Sequence, residues 1–250
     1  MSLVAELRKV IPAVPRLKRF TRPGGDDAWG FEMPARRYAE TWMALWKARR
    51  ATGHYPLLAS SPRYNADDDG NQVMFRKNPY ARVLRRGLRL SPEAFLRTRQ
   101  LDSAEILRDP EYRGPWPSKK TVPRKFTSGN LEVARIRGLK TIWILLLPVS
   151  ESWEAMAFHF WGGWNDAPAP EAQVCMLKSW NDRFGAEFVS DGGDFIELYC
   201  ARPPLTRKEA LTLTEEMFTY CVDIVDQGCG TVEALAHEIL GSRTWFFWWD

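Results

Sequence analysis

Two short stretches bring together side chains that could do chemistry. Asp191, Asp194 and Glu197 offer three carboxylates within seven residues, the raw material of a divalent-metal site or an acid/base pair. In one regular strand, however, Asp194 and Glu197 stand an odd number of residues apart and face opposite sides, which argues against a shared centre. Further on, Tyr220, Cys221, Asp223, Asp226 and Gln227 gather at the end of a helical pattern. Acids at a helix C-terminus oppose its macrodipole, so they are solvated, paired with an arginine such as Arg202 or Arg243, or placed there for binding. Pairing is the expected arrangement.

The other reactive residues form no catalytic pattern. His54, His159 and His237 lie far apart without local partners; His159 reads as the polar face of a strand and His237 as solvent-facing. Cys175, Cys200, Cys221 and Cys229 include no C-x-x-C pair and no histidine at zinc spacing, so reduced, mostly buried thiols are expected. No nucleophile elbow, zincin, phosphate-loop or dinucleotide fingerprint is present. Asp67, Asp68, Asp69, Gly70 and Asn71 imitate the start of a calcium loop, but Asn78 stands where that loop needs its closing Glu, which leaves a solvated turn. No metal or cofactor is assigned.

Charge divides the chain. Residues 1–140 hold 29 Lys and Arg against 14 Asp and Glu, a balance of +15, and residues 141–250 hold 6 against 17, a balance of −11. The positive charge concentrates in Arg82, Arg85, Arg86, Arg89, Arg97, Arg99, Arg108, Arg113, Lys119, Lys120, Arg124 and Lys125. That is an electrostatic footprint of nucleic-acid binding, yet it fits no recognition module and the acidic half would repel phosphate. Solvated helix faces, or docking of the basic half onto the acidic half, are the expected uses. The N-terminus lacks an apolar targeting core. The longest apolar run, 142–149, is far short of the roughly 20 residues that span a bilayer. A cytoplasmic location and no membrane partner are expected.

The elements that must position these residues read as follows. Residues 1–33, with Pro12, Pro15, Pro23, Gly24 and Gly25, read as an irregular arm over the surface with one short helix near 3–10. Tyr38, Trp42, Leu45 and Trp46 form the stripe of an amphipathic helix stopped at Gly53, and 55–59 begin a buried strand. Ser91 and Pro92 open a second helix. Residues 141–149 read as a buried strand and 154–160 as a second one, its hairpin partner. A helix over 170–184 stops at Gly185. Strands at 187–190 and 194–201 flank an Asp191-Gly192-Gly193 turn. Thr206 and Glu209 form a capping box, and Thr231 caps a last helix stopped by Gly241. Trp245, Phe246, Phe247, Trp248, Trp249 and Asp250 close the sequence, and so aromatic a segment is an aggregation hazard unless buried. It reads as a strand inserted against 142–147. The order predicts an α+β fold, a mixed and mainly antiparallel sheet covered by helices, with an extended basic N-terminal region. The expected division is a 1–33 arm, a 34–138 basic helical and loop region, and a 139–250 α+β domain.

A set of motifs runs through the last 110 or so residues. It comprises Gly163-Trp164-Asn165, Trp180 with Arg183-Phe184-Gly185-Ala186-Glu187, Glu197-Leu198, Arg202-Pro203-Pro204, Tyr220-Cys221 with Asp223, Gln227-Gly228 with Thr231, and the aromatic ending. In order and spacing it resembles the bacterial family called domain of unknown function 4253. The resemblance implies fold and bacterial origin, and a loose association with small intracellular immunity proteins of toxin systems. It assigns no activity. The candidate binding residues are Trp164, Asn165, Arg202, Tyr220, Asp223, Asp226, Gln227, Trp248 and Asp250. The expected function is a non-enzymatic protein-binding module of immunity or antitoxin type, whose partner is a basic protein such as a toxin. The alternatives are a metal-dependent hydrolase using the carboxylate clusters, and a nucleic-acid binder through the basic region.

Overall fold

The computed structural model describes residues 3–11, 13–21, 27–62, 80–106 and 109–250, the side chains of 100–106 excepted. The aspartate-rich turn at 67–71, Arg108, and Pro12, Pro23, Gly24 and Gly25 of the arm lie outside the described residues.

A seven-stranded mixed sheet runs through the chain in the order β1-β2-β4-β3-β5-β6-β7. Its strands are β1 (Lys18–Thr21), β2 (Asp27–Pro34), β3 (Tyr55–Ala59), β4 (Thr141–Leu147), β5 (Ala186–Asp191), β6 (Phe195–Cys200) and β7 (Thr244–Trp248). Neighbours are antiparallel except β3 and β5, which run parallel. The unbroken apolar run of β4 takes the interior place such a run demands, with β2 on one side and β3 on the other. The sheet therefore draws on residues on both sides of position 139.

Three expectations are corrected. The N-terminal arm is not irregular throughout: after α1 (Leu3–Arg8) it supplies β1 and β2, which extend the sheet beyond β4. Residues 154–160 are not a strand, because Ser152–His159 form a helix. The Glu151 side chain caps it, and that of Glu154 accepts a bond from the Glu151 N–H at 3.1 Å. This Glu-x-x-Glu capping box, joined to Ala and Met of high helix propensity, outweighs an accidental alternation. Finally, β7 pairs with β6 and not with β4, whose two edges are already filled.

Helices cover both faces. On one side α2 (Tyr38–Thr52) buries Tyr38, Trp42 and Leu45, and Trp42 and Trp46 meet Tyr199 of β6 at 6.2 and 5.8 Å between ring centroids. Side chains alternate along a strand, so Ile196 and Leu198 face the other layer. There lie the Ser152–His159 helix and the helices Pro170–Phe184 and Arg207–Tyr220. In chain order, α3 is Tyr80–Gly87, α4 Pro92–Ile106, α5 Pro110–Arg113, α6 Glu132–Arg135, α7 Ser152–His159, α8 Pro170–Phe184, α9 Arg207–Tyr220 and α10 Val232–Ile239. Trp180 of α8 stacks on Phe247 of β7 at 5.3 Å with the planes 8° apart. Gly185 ends α8 with φ 62°, and a Cβ there would stand 2.9 Å from that of Ala201. Both facts require glycine.

Candidate functional site at the edge of the sheet

The motif-dense region is assembled by caps and stops that the sequence specifies. Thr206 Oγ1 accepts from the Glu209 N–H at 3.2 Å, and the Glu209 carboxylate accepts from the Thr206 N–H at 3.1 Å, opening α9. That helix buries Ala210, Leu213, Met217 and Tyr220 and ends at Cys221. A π-helical turn follows over Ile224–Cys229, of a kind found often at functional sites. Thr231 caps α10, accepting from the Ala234 N–H at 3.1 Å. The chain then turns at Ser242 and enters β7, where the Arg243 N–H donates to the carbonyl of Arg124 at 2.8 Å.

Four of the anticipated residues form one network. Asn165 Nδ2 donates to the Asp250 carbonyl at 2.7 Å, the Asp250 N–H donates to Asp223 Oδ2 at 3.1 Å, and Gln227 Nε2 donates to Asp223 Oδ1 at 3.3 Å. Trp248, Asp223, Ile224 and Cys229 line a cavity of about 260 Å³, whose polar lining also includes Glu238, Thr244 and the cation Arg124. Trp164 sits beside the network, its ring edge-on to Trp161 at 5.7 Å. Asp226 is exposed, and its carboxyl is pushed up by partial burial and by repulsion from Asp223.

Two anticipated residues stand elsewhere. Arg202 donates to the carbonyls of Asn181 and Asp182 at 3.3 and 2.9 Å, satisfying the C-terminal end of α8 where a cation is favoured. Tyr220 is buried, with its hydroxyl donating to Gln173 and its ring packed on Trp180, Phe247 and Trp249. The expected pairing of the acids with Arg202 or Arg243 is corrected. Arg243 donates to the Ala201 carbonyl, and among the described residues neither Asp223 nor Asp226 makes an ion pair. A pair between Arg124 and Glu238 at 3.7 Å borders the cavity, half-exposed on both sides, and contributes little.

The first carboxylate cluster disperses. Asp191 accepts from Trp161 Nε1 at 2.9 Å and the Gly193 N–H at 2.7 Å, and lies 2.7 Å from His159 Nε2. Asp194 pairs with Arg137. Glu197 is buried on the opposite face, accepting from Ser190 Oγ at 2.6 Å and from the Glu132 and Val133 N–H groups at 2.5 and 3.2 Å. Burial raises its carboxyl to about 7, against those hydrogen bonds. Among the described residues no three His, Cys, Asp or Glu side chains are placed to share a metal. Burial holds the thiols of Cys175 and Cys229 up at about 11 and that of Cys200 at about 12, so they stay protonated and poorly nucleophilic.

His159 overturns its sequence reading, being fully buried on α7 rather than on a polar strand face. The buried Glu187, held by Tyr55 and Asn181, belongs to the Arg183–Glu187 motif and was given no role by sequence reasoning. His237 is half-buried against Trp116 and the Lys119 carbonyl.

The basic half docks on the acidic half. Arg86 meets Glu171 at 3.6 Å and Arg113 meets Glu215 at 2.6 Å. Arg99 donates to the carbonyls of Thr219 and Asp166.

Fold and site together define an α+β protein with helices on both faces of a mixed sheet and an acidic, aromatic rim beside its last strand. Residues 143–250 match the family model described as Domain of unknown function (DUF4253). No curated protein and no solved structure matches the chain. Among the described residues no helix is long and apolar enough to cross a membrane.

Proposed function

We propose that this protein is a non-catalytic binding module of immunity or antitoxin type, working in the bacterial cytoplasm, whose rim of Asp223, Asp226, Asp250 and Trp248 meets a basic protein partner. The observation that carries this reading is the pair of acids at the end of α9. Asp223 is fixed by Gln227 and by the Asp250 backbone, Asp226 is exposed beside it, and no cation of the described residues neutralises either. Pre-positioned acids beside a half-buried aromatic suit recognition of Lys or Arg, through charge complementarity and steering. The arginines of the basic half already engaged by Glu171 and Glu215 are correspondingly less available to phosphate.

The test uses the intact protein and the Asp223→Asn/Asp226→Asn double variant as baits for proteins of the source cell. The reading predicts a basic protein retained by the first and not by the second. It should be released at about 1 M salt, where the Debye length falls to about 3 Å, and any growth inhibition it causes should be relieved by co-expression. Equal retention on both baits, or none on either, refutes the reading.

A further inference from the structure

The free edge of β7 has an unusual composition. The opposite edge of the sheet, β1, carries Lys18 and Arg19, both exposed, the charged protection that edge strands need. Thr244, Trp245, Phe246, Phe247 and Trp248 carry no charge and no proline. An uncharged aromatic edge of five residues is a template for another strand.

The direction of its backbone groups follows from the register. The Cys200 N–H donates to the Arg243 carbonyl and the Trp249 N–H to the Asp194 carbonyl, each at 3.0 Å. Because the bonding direction alternates along an antiparallel strand, Trp245, Phe247 and Trp249 turn their peptide groups toward β6. Thr244, Phe246 and Trp248 turn theirs outward. Of these outward groups the Trp248 carbonyl accepts from Cys221 Sγ at 3.0 Å, and no other group of the described residues bonds them. The cavity lies along this edge, lined by Thr244, Phe246 and Trp248, by Asp223 and Glu238 from the neighbouring turn and helix, and by Arg124, which pairs with Glu238 at 3.7 Å and leaves Asp223 as the acid without a cation. At about 260 Å³ the cavity falls below the range of roughly 300–1,000 Å³ usual for small-molecule sites. It suits one long side chain.

We propose that the edge of β7 is a strand-addition site for an extended basic segment of a protein partner, which pairs its backbone with Thr244, Phe246 and Trp248 and sends a Lys or Arg side chain into the cavity toward Asp223. This deepens the reading given above and rests on it for the charge of the partner. A second copy of this chain is the poorer occupant, since edge-to-edge pairing would bring two sets of Asp223 and Asp226 together.

The test needs no variant that could misfold. The intact protein is titrated with an alternating Lys-Val heptapeptide, and with the same peptide N-methylated at every second residue, in either frame, so that charge is kept and pairing is lost. Amide exchange is followed residue by residue. Strand addition predicts slowed exchange at Thr244, Phe246 and Trp248, with Trp245, Phe247 and Trp249 unchanged because they already bond β6. One N-methylated frame should bind about tenfold more weakly, the worth of a pair of net backbone hydrogen bonds. Binding without that alternating protection, or equal binding of all peptides, overturns strand addition and leaves the acidic rim standing. No binding of any peptide overturns both. A dimer in sedimentation, with the three amides protected before peptide is added, overturns the basic occupant.

Discussion

Replacing Glu197 with Gln should change how stability depends on pH. The carboxyl is fully buried and is raised by that burial from an ordinary 4.5 to about 7. Between those values the folded protein holds a proton that the unfolded chain has released. The stabilisation is therefore complete below about pH 4.5, falls as pH rises, and is gone above about pH 7. An interval of about 2.5 pH units at about 1.4 kcal/mol each is roughly 3 kcal/mol, most of which falls between pH 5 and pH 8. Gln cannot titrate. Of the three groups now donating to Glu197 only the Ser190 hydroxyl can turn to accept from the Gln NH2; an amide facing either N–H instead adds an offset of about 1–3 kcal/mol. Urea unfolding of both proteins at about pH 5 and pH 8 separates the two effects. Relative to wild type, the variant should gain about 2–3 kcal/mol across that interval, whatever its offset. Stability differences that stay equal at the two pH values would refute the assignment of the proton to Glu197.

Asp191→Ala removes the acceptor shared by Trp161, the Gly193 N–H and His159; a loss of about 3–5 kcal/mol in denaturant unfolding is expected for so buried a group. Thr206→Ala removes a helix cap and should cost about 1 kcal/mol, measured the same way. Deleting residues 245–250 strips Trp245, Phe247 and Trp249 from the aromatic layer on Trp180 and Tyr220, each worth roughly 1.5–3 kcal/mol of burial or more. The cooperative melt should disappear. A retained cooperative melt would make the segment a docking tail.

What could be read in the sequence was whatever local chemistry specifies. The Thr206–Glu209 box, the Gly185 stop, the Thr231 cap and the apolar run of β4 each fix their element through neighbours a few residues away, and each stands where the spacing placed it. Odd spacing also separated Asp194 from Glu197 correctly. Strand pairing was not legible, because it depends on which edge remains free. β7 went to β6 only because β2 and β3 occupy β4. The α7 helix was hidden by an apolar-polar alternation that a Glu cap overrides. Of the anticipated binding residues, Asn165, Asp223, Gln227 and Asp250 converge through bonds that join α9, β7 and the loop before α8. Arg202 and Tyr220 share the motif for reasons of capping and packing.

The proposed recognition of a basic partner rests on the acids beside β7. It is tested most directly by the affinity of the intact protein for the partner retained on the wild-type bait, measured again after Asp223→Asn and Asp226→Asn, with thermal melts as control. Unchanged melts and an affinity lowered at least about tenfold are expected, the scale of one lost charge-assisted contact. Affinity unchanged by both substitutions would contradict it.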